Sequence, residues 1–258
     1  MPERSSSLSS VQKACRILGA LADAGRARLT DVALHAALNK VTTLRLLEVL
    51  AREGFVRRDD ATKTYSLGDQ ALVLAAAARN GDDLRARARS SLMRLAQLSG
   101  DTALLSIRNG AEAVCLDREI GGFPIRANYL DIGSRRPLGV GGGSLALLAW
   151  LSDEEIDSIL SQVTPHLTNY PRLSVEAIRK LVKQARAQGY ALVLDLVVDR
   201  MGGVGVPVVG LDGRPFAALS IAALSERISS RLPALVTALQ AEAARIADPR
   251  RVAERTGT

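Results

Sequence analysis

Few residues of this chain are of the types that perform catalysis or bind metals. It contains two histidines, His35 and His166, and neither lies near a cysteine or a serine nucleophile motif such as Gly-x-Ser-x-Gly. Its two cysteines, Cys15 and Cys115, are 100 positions apart and form no CxxC pair. This pattern predicts no disulfide, no metal site and no cofactor. Catalysis by a carboxylate pair or a lysine is the remaining enzymatic alternative, and no constellation of residues supports it.

Residues suited to DNA binding concentrate near the N-terminus. Residues 1–68 hold 11 Lys and Arg against 7 Asp and Glu, whereas the other 190 residues hold 23 against 20. A basic excess favours phosphate binding, because affinity for DNA comes largely from released counterions. On charge alone, a solvated surface explains the excess equally well. The candidate contacts are hydroxyl and cationic side chains: Lys40, Thr42, Thr43, Arg45, Arg57, Arg58 and Lys63.

Three short helices and a hairpin are predicted to position these residues. Ser9 or Ser10 caps a first helix, Thr30 caps a second, and Asn39 caps a third that ends at Gly54. The third helix carries the apolar residues Val41, Leu44, Leu47, Val49 and Leu50. We expect Leu46, Leu47 and Leu50 to be buried and to anchor it. Two strands follow, on either side of a polar turn at residues 59–62.

This order of elements is typical of a winged helix-turn-helix. The N-terminal end of the third helix then enters the major groove, and the hairpin forms a wing that reaches the backbone or the minor groove. The alternative is a three-helix packing module with no role in nucleic-acid binding.

The segment 136–144 is the other feature that could bind a ligand. Four glycines and Ser144 precede an apolar helix that we predict over Leu145–Leu151. Backbone amides at the positive end of a helix dipole suit a small anion. The segment is neither a Rossmann fingerprint, since Ser144 stands where glycine or alanine is needed, nor a P-loop, since no lysine follows. A flexible turn is the alternative interpretation.

The remaining pattern predicts an α+β chain of two domains. A winged domain covers residues 1–68, an Ala-rich linker helix covers 69–81, and a mixed α/β domain covers 82–258, with the boundary near Gly81. An Asn109-Gly110 turn joins the first two strands of that domain. The strands are predicted at 103–108, 113–117, 124–129, 190–196, 203–209 and 215–221, and further helices at 153–162, 174–188 and 229–247, after one capped by Asp82 or Asp83.

Composition excludes several classes of protein. The hydrophobic class makes up 47% of 258 residues and charged residues 24%, which is ordinary globular usage. The longest apolar runs are far shorter than the ~18 residues that span a bilayer, and the N-terminal residues contain no secretory h-region. We therefore expect a cytoplasmic protein with no membrane association.

The N-terminal third resembles the DNA-binding domain of IclR-type (isocitrate lyase regulator) transcription factors. The matching residues follow the family pattern: Thr42, Arg45-Leu46-Leu47, Gly54-Phe55-Val56 and Tyr65-Ser66-Leu67-Gly68. Two positions depart from it. Ala37 replaces the usual glycine of the helix-helix turn, and Asn39 replaces the usual proline.

The C-terminal part resembles the GAF-like effector-binding domain of the same family. The resemblance extends to about Ala247 and rests on these segments: Gly133 to Leu138, Ala146 to Ala149, Gly189-Tyr190-Ala191, Pro207-Val208, Asp212-Gly213 and Ala218 to Ile221. The usual second serine of the last strand is Ala222, and the usual acidic residue falls at Leu194, which leaves Asp195 as the nearest carboxylate. The effector residues that the resemblance implies are Gly142, Gly143, Ser144, Asp195, Gly203 and Ser220.

The resemblance implies a ligand-responsive regulator that binds a palindromic operator in double-stranded DNA. A homodimer or a dimer of dimers is expected, because one winged domain reads only a few base pairs. The more apolar pocket predicts a small organic acid with a sizeable apolar part as effector, and a catabolic operon as target. A small-molecule binding protein without a DNA role is the second hypothesis, and an enzyme is the third.

Overall fold

The computed structural model describes residues 8–78, 84–125 and 130–247. Contacts between Cα atoms divide the chain into two compact units, Met1–Asp83 and Leu84–Thr258, which are described separately. The predicted boundary at Gly81, the helix caps at Asp82 and Asp83 and most of the strand expected at 124–129 lie outside the described residues.

The first unit begins with three helices, α1 (Ser10–Ala24), α2 (Leu29–His35) and α3 (Lys40–Arg52). Ser9 caps α1 as predicted, in a capping box with Gln12. The second helix starts one residue before Thr30, so the cap expected there is wrong. The helices bury a core between them and the strands, made of Ile17, Leu21, Ala27, Val32, Ala36, Leu47, Leu50, Val56 and Tyr65.

The wing is a three-stranded antiparallel sheet, with β1 (Ala27–Arg28), β2 (Val56–Asp59) and β3 (Thr64–Leu67) in the order β1-β3-β2. The Asp59 carboxylate accepts hydrogen bonds from the amides of Ala61 and Thr62, and the bond from Thr62 is the main cause of a lowered pKa for Asp59. The hairpin was predicted from the sequence, whereas β1 was not, because two residues are too few to show a period. The helix α4 (Asp69–Ala78) follows the wing.

The second unit is built on one six-stranded antiparallel sheet with the order β6-β5-β4-β9-β8-β7. Its strands are β4 (Thr102–Asn109), β5 (Glu112–Glu119), β6 (Arg135–Pro137), β7 (Ala191–Leu194), β8 (Met201–Val209) and β9 (Pro215–Leu224). The Asn-Gly hairpin between β4 and β5 is present, with Gly110 at φ +63°. The short edge strand β6 was not predicted.

Helices cover both faces of this sheet. The bounds of the helices are α5 (Leu84–Ser99), α6 (Gly142–Ala149), α7 (Asp153–Val163), α8 (Val175–Gln188) and α9 (Ser225–Ala247), with a 3-10 turn at Thr164–Asn169. Alternate residues of β9 separate the two layers: Leu219 and Ile221 join the core under α5 and α9, whereas Ala218 joins the core with α6, α7 and α8. No helix among the described residues is long and apolar enough to cross a membrane.

Candidate nucleic-acid interface and ligand cavity

The start of α3 is fixed by a side-chain cap. The Asn39 side-chain oxygen accepts a hydrogen bond from the Thr42 amide at 2.8 Å, as predicted from the sequence. The expectation that Thr43 contacts DNA is wrong. Its side chain is fully buried, and its hydroxyl donates to the Asn39 carbonyl at 2.9 Å, so it packs the helix start against the core instead.

The outward face of α3 carries Lys40 and Arg45, both exposed, with Thr42 partly exposed beside them. It also carries Val41, an apolar residue that is 80% exposed. At about 100° per residue, Val41 and Arg45 lie roughly opposite the buried Leu47 and Leu50. This face can therefore reach into a groove while the other holds the helix in place. Val49, on the same helix, is 40% exposed.

The wing presents the predicted cations Arg57, Arg58 and Lys63, all exposed. Arg58 lies 3.2 Å from the Asp60 carboxylate, and its guanidinium is 5.9 Å from the centre of the Tyr65 ring. A phosphate oxygen that binds Arg58 must therefore compete with Asp60.

A cavity opens in the second unit between the start of α6 and the face of the sheet that α6 covers. Five of the six predicted effector residues line it: Gly142, Gly143, Ser144, Gly203 and Ser220. The other lining residues are Leu104, Ser106, Ala113, Cys115, Leu130, Ser134, Arg136, Val140, Gly141, Val193, Val197, Met201, Gly202, Ile221 and Ala222.

Asp195 does not line this cavity, so its assignment as an effector ligand is corrected. Strand β7 ends one residue earlier, and Asp195 takes a left-handed conformation with φ +60°. The turn directs its carboxylate to the start of α9, where it accepts a hydrogen bond from the Ser225 hydroxyl at 2.8 Å. Asp195 thus joins a strand end to a helix start.

The glycines of the segment have two different roles. A Cβ on Gly142 would lie 2.6 Å from the Gly203 carbonyl carbon, and one on Gly205 would lie 2.7 Å from the Gly142 oxygen. These glycines let the α6 backbone pack directly on β8, because any side chain there would collide with backbone. A Cβ on Gly143 would meet the Ser220 hydroxyl instead, which is a cavity-lining group.

Part of the cavity lining is polar and basic. The α6 helix begins with the glycines, and its first hydrogen bond within the helix runs from Leu145 to Gly141, so the amides of residues 142–144 precede the bonded turns. Arg136 lies nearby, with its guanidinium 3.7 Å from the position of a Cβ on Gly141. The Ser144 hydroxyl donates to the Pro137 carbonyl at 2.8 Å, so its oxygen is left to accept. The helix amides and the Arg136 guanidinium suit an anion, whereas the Ser144 hydroxyl cannot donate to it while its proton is bonded to the Pro137 carbonyl.

Another part of the cavity lining is apolar. Leu104, Cys115 and Ala222 form a small buried cluster there, with Leu130 and Met201 packed against it. Burial raises the pKa of the Cys115 thiol to about 11, which keeps it neutral at physiological pH. The Cys115 sulfur also donates a weak hydrogen bond to the Asp117 carbonyl at 3.6 Å.

Arg136 is the cation that sequence reasoning missed among the lining residues of this cavity. It stands between Gly133 and Leu138 in a segment already singled out, but nothing in that segment shows which of its two arginines faces inward. The guanidinium of the neighbouring Arg135 binds the Glu112 carboxylate at 2.6 Å and does not line the cavity. Among the described residues, no group of three or more His, Cys, Asp or Glu could hold a metal ion.

Comparison with known proteins finds a matching family model for each of the two units. The model of the bacterial transcriptional regulator IclR C-terminal domain matches residues 76–248, and that of the IclR helix-turn-helix domain matches residues 10–60. The HTH-type transcriptional regulator XynR of Escherichia coli K12 is 30% identical over 224 residues, which cover 86% of this chain and 88% of the relative.

Solved structures of similar fold cover almost the whole chain. An IclR transcriptional regulator from Alicyclobacillus acidocaldarius has a TM-score of 0.75 at 26% identity, over 93% of this chain and 98% of that one. An IclR homolog from Microbacterium hydrocarbonoxydans, complexed with 4-hydroxybenzoate, has a TM-score of 0.73 at 23% identity, with the same coverage. The latter likeness concerns the fold.

Proposed function

This chain belongs to the IclR family of bacterial transcriptional regulators, and on that premise we propose that α3 and the wing bind a palindromic operator while a small organic acid in the cavity changes the affinity for DNA. The chain is an HTH-type DNA-binding regulator with a C-terminal ligand-binding domain, and its named relatives are regulators rather than enzymes. The observation that carries the effector proposal is the cavity itself, whose lining combines one arginine and several hydroxyl groups with apolar side chains.

The DNA contacts that we propose divide into two groups. Lys40, Thr42 and Arg45 stand at the N-terminal end of α3, which is the end of a recognition helix that meets bases and phosphates. Arg57, Arg58 and Lys63 on the wing would bind phosphates and fix the register of the protein on the duplex. Thr43 is not among these contacts, because it is buried.

We propose that the protein acts as a homodimer or a dimer of dimers, in the cytoplasm where the DNA is. A single recognition helix reads too few base pairs for useful specificity, and paired copies on a palindrome double that number. Sedimentation with an operator duplex tests this point. One protein chain per complete operator would contradict the proposal.

The proposed effector carries a carboxylate and an apolar body. Arg136 and the amides at the start of α6 would hold the carboxylate, and the cluster around Leu104, Cys115 and Met201 would cover the apolar part. The homologue solved with 4-hydroxybenzoate supports this class of ligand by analogy.

Calorimetry with matched ligands tests the effector class. The probes are 4-hydroxybenzoate, benzoate and pyruvate, with 4-hydroxybenzamide as the uncharged isostere and xylose as a neutral sugar. We expect the carboxylates to bind, the amide to bind at least about tenfold more weakly, and Arg136→Gln to remove the difference, because a charge-assisted hydrogen bond is lost. Tighter binding of xylose than of every carboxylate would contradict the proposal.

Arg135→Gln is the control for that experiment. It removes the neighbouring guanidinium, which pairs with Glu112 outside the cavity, and should leave ligand affinity unchanged. The same carboxylates should then alter operator affinity by about five- to 150-fold, the usual range of allosteric coupling. The sign of this change shows whether the ligand releases the protein from the operator or holds it there. We propose that the operon encodes enzymes that degrade the effector.

A further inference from the structure

Val41 is placed where an apolar side chain is least expected. It is 80% exposed in the first turn of α3, next to the exposed cation Lys40 and one turn before Arg45. The stripe opposite the core is otherwise charged, with Glu48 and Arg52 further along the helix. Since burial of Thr43, Leu47 and Leu50 already holds the helix, Val41 contributes nothing to the core.

DNA offers one apolar group along its base edges that matches this side chain. In the major groove, A·T pairs present the C5-methyl group of thymine, whereas the other base edges present donors and acceptors. A short branched aliphatic side chain fits against that methyl and has no complementary group for a phosphate. Lys40 and Arg45 on either side attract the phosphate backbone and would hold Val41 at the base edges.

We propose that Val41 determines sequence specificity by contacting the C5-methyl of a thymine in each half-site of the operator. This inference rests on the proposed seating of α3 in the major groove. Because Val41 and Arg45 are four residues apart, their Cα atoms are separated by about 6 Å along the helix axis. Base pairs stack about 3.4 Å apart, so the thymine lies within about two base pairs of the position that Arg45 contacts.

Uracil provides the test, because it lacks only the methyl group. A duplex that the full chain binds tightly is first selected from a random library. Each thymine of its half-site is then replaced by deoxyuridine, one position at a time, and affinity is measured for the wild-type protein and for Val41→Ala. We expect one position per half-site where uracil weakens wild-type binding about fourfold, the value of one buried methyl group. Val41→Ala should bind both duplexes equally at that position.

Two further variants make the result specific. Val41→Thr keeps one methyl group on the same branched side chain and should keep part of the discrimination. Val49→Ala removes the same atoms from another exposed valine of α3, which is 40% exposed and lies off the stripe, and it should discriminate as the wild type does.

The outcomes separate this inference from the proposed function. A chain that selects no duplex overturns both. A chain that selects an operator but binds the thymine and uracil forms equally at every position overturns the role of Val41 alone. So does a Val41→Ala variant that discriminates as strongly as the wild type.

Discussion

Gly143 of α6 faces Ser220 of β9 so closely that a Cβ on the glycine would lie 2.8 Å from the serine hydroxyl oxygen. The Ser106 hydroxyl would be 3.5 Å from the same point. Both serines and the glycine line the cavity. Because Gly143 has no side chain, the space beside the Ser220 and Ser106 hydroxyl groups stays open.

Gly143→Ala should fill that space and weaken carboxylate binding at least about tenfold, or about 1.4 kcal/mol. The new methyl group forces the Ser220 hydroxyl to another rotamer, so both the shape and the polarity of the site change. Calorimetry with the best carboxylate of the panel measures the loss. Operator affinity without ligand should stay the same, since the DNA-binding helices belong to the other unit.

Adding Ser220→Ala to Gly143→Ala should recover part of the lost affinity, because it removes the colliding oxygen. Equal carboxylate affinity in the wild-type protein and Gly143→Ala would mean that ligands bind elsewhere.

Arg45→Ala should weaken operator binding broadly and reduce its dependence on salt. Each phosphate contact releases about one counterion, so the slope of log K against log salt should fall by about one unit. Fluorescence anisotropy at several salt concentrations gives the slope. Lys183→Ala, which removes an exposed cation from α8 in the other unit, is the control and should leave the slope unchanged. A slope that is also unchanged in Arg45→Ala would count against contact of this residue with the DNA backbone.

Ala37→Gly should stabilise the first unit by about 0.5–1 kcal/mol. Ala37 has φ +53° in the turn after α2, a left-handed conformation that strains any residue with a Cβ. Glycine adopts it without strain, and this relief outweighs the extra freedom that glycine gives the unfolded chain. Urea denaturation of the protein measures the change in the free energy of unfolding.

The adjacent Ala36→Gly is the matched control for that prediction. Ala36 has φ −74° and is buried, so glycine there should lower the free energy of unfolding. Destabilisation by both substitutions would show that the turn does not strain Ala37.

Cys115 should report whether the cavity is occupied. Its pKa of about 11 leaves roughly one part in a thousand as thiolate at pH 8, so alkylation by iodoacetamide should be slow and should accelerate as the pH rises towards 11. A bound carboxylate should slow it further by covering the thiol. Mass spectrometry of a Cys15→Ser variant measures alkylation of Cys115 alone, because the exposed thiol of Cys15, which would also react, is removed. Protection that is equal with and without a ligand shown to bind would place that ligand outside the cavity.

Local features of the fold were predictable from the sequence because neighbouring residues suffice to form them. Asn39 caps α3 through an amide three residues away, and the left-handed Gly54 and Gly110 follow from the need to end a helix and to turn a hairpin. The cap predicted at Thr30 was wrong, because strand β1 ends at Arg28 and the second helix begins directly after it, at Leu29.

The sequence pointed to five of the residues that line the cavity, and tertiary structure decided the others. Leu104 and Ala222 are over a hundred positions apart and meet only because β4 pairs with β9 in one register. Asp195 has a carboxylate that could bind an effector, but its own left-handed backbone conformation directs that carboxylate away from the cavity. Arg136 lines the cavity, whereas the neighbouring Arg135, which has the same guanidinium group, does not.

On α3, the residue types alone indicated DNA binding, and the cap indicated where the helix begins. The packing around the helix then reversed one assignment by burying the polar Thr43, and it left the apolar Val41 exposed. Helical periodicity gives the angle between side chains, but only the neighbouring elements decide which side of a helix is inside.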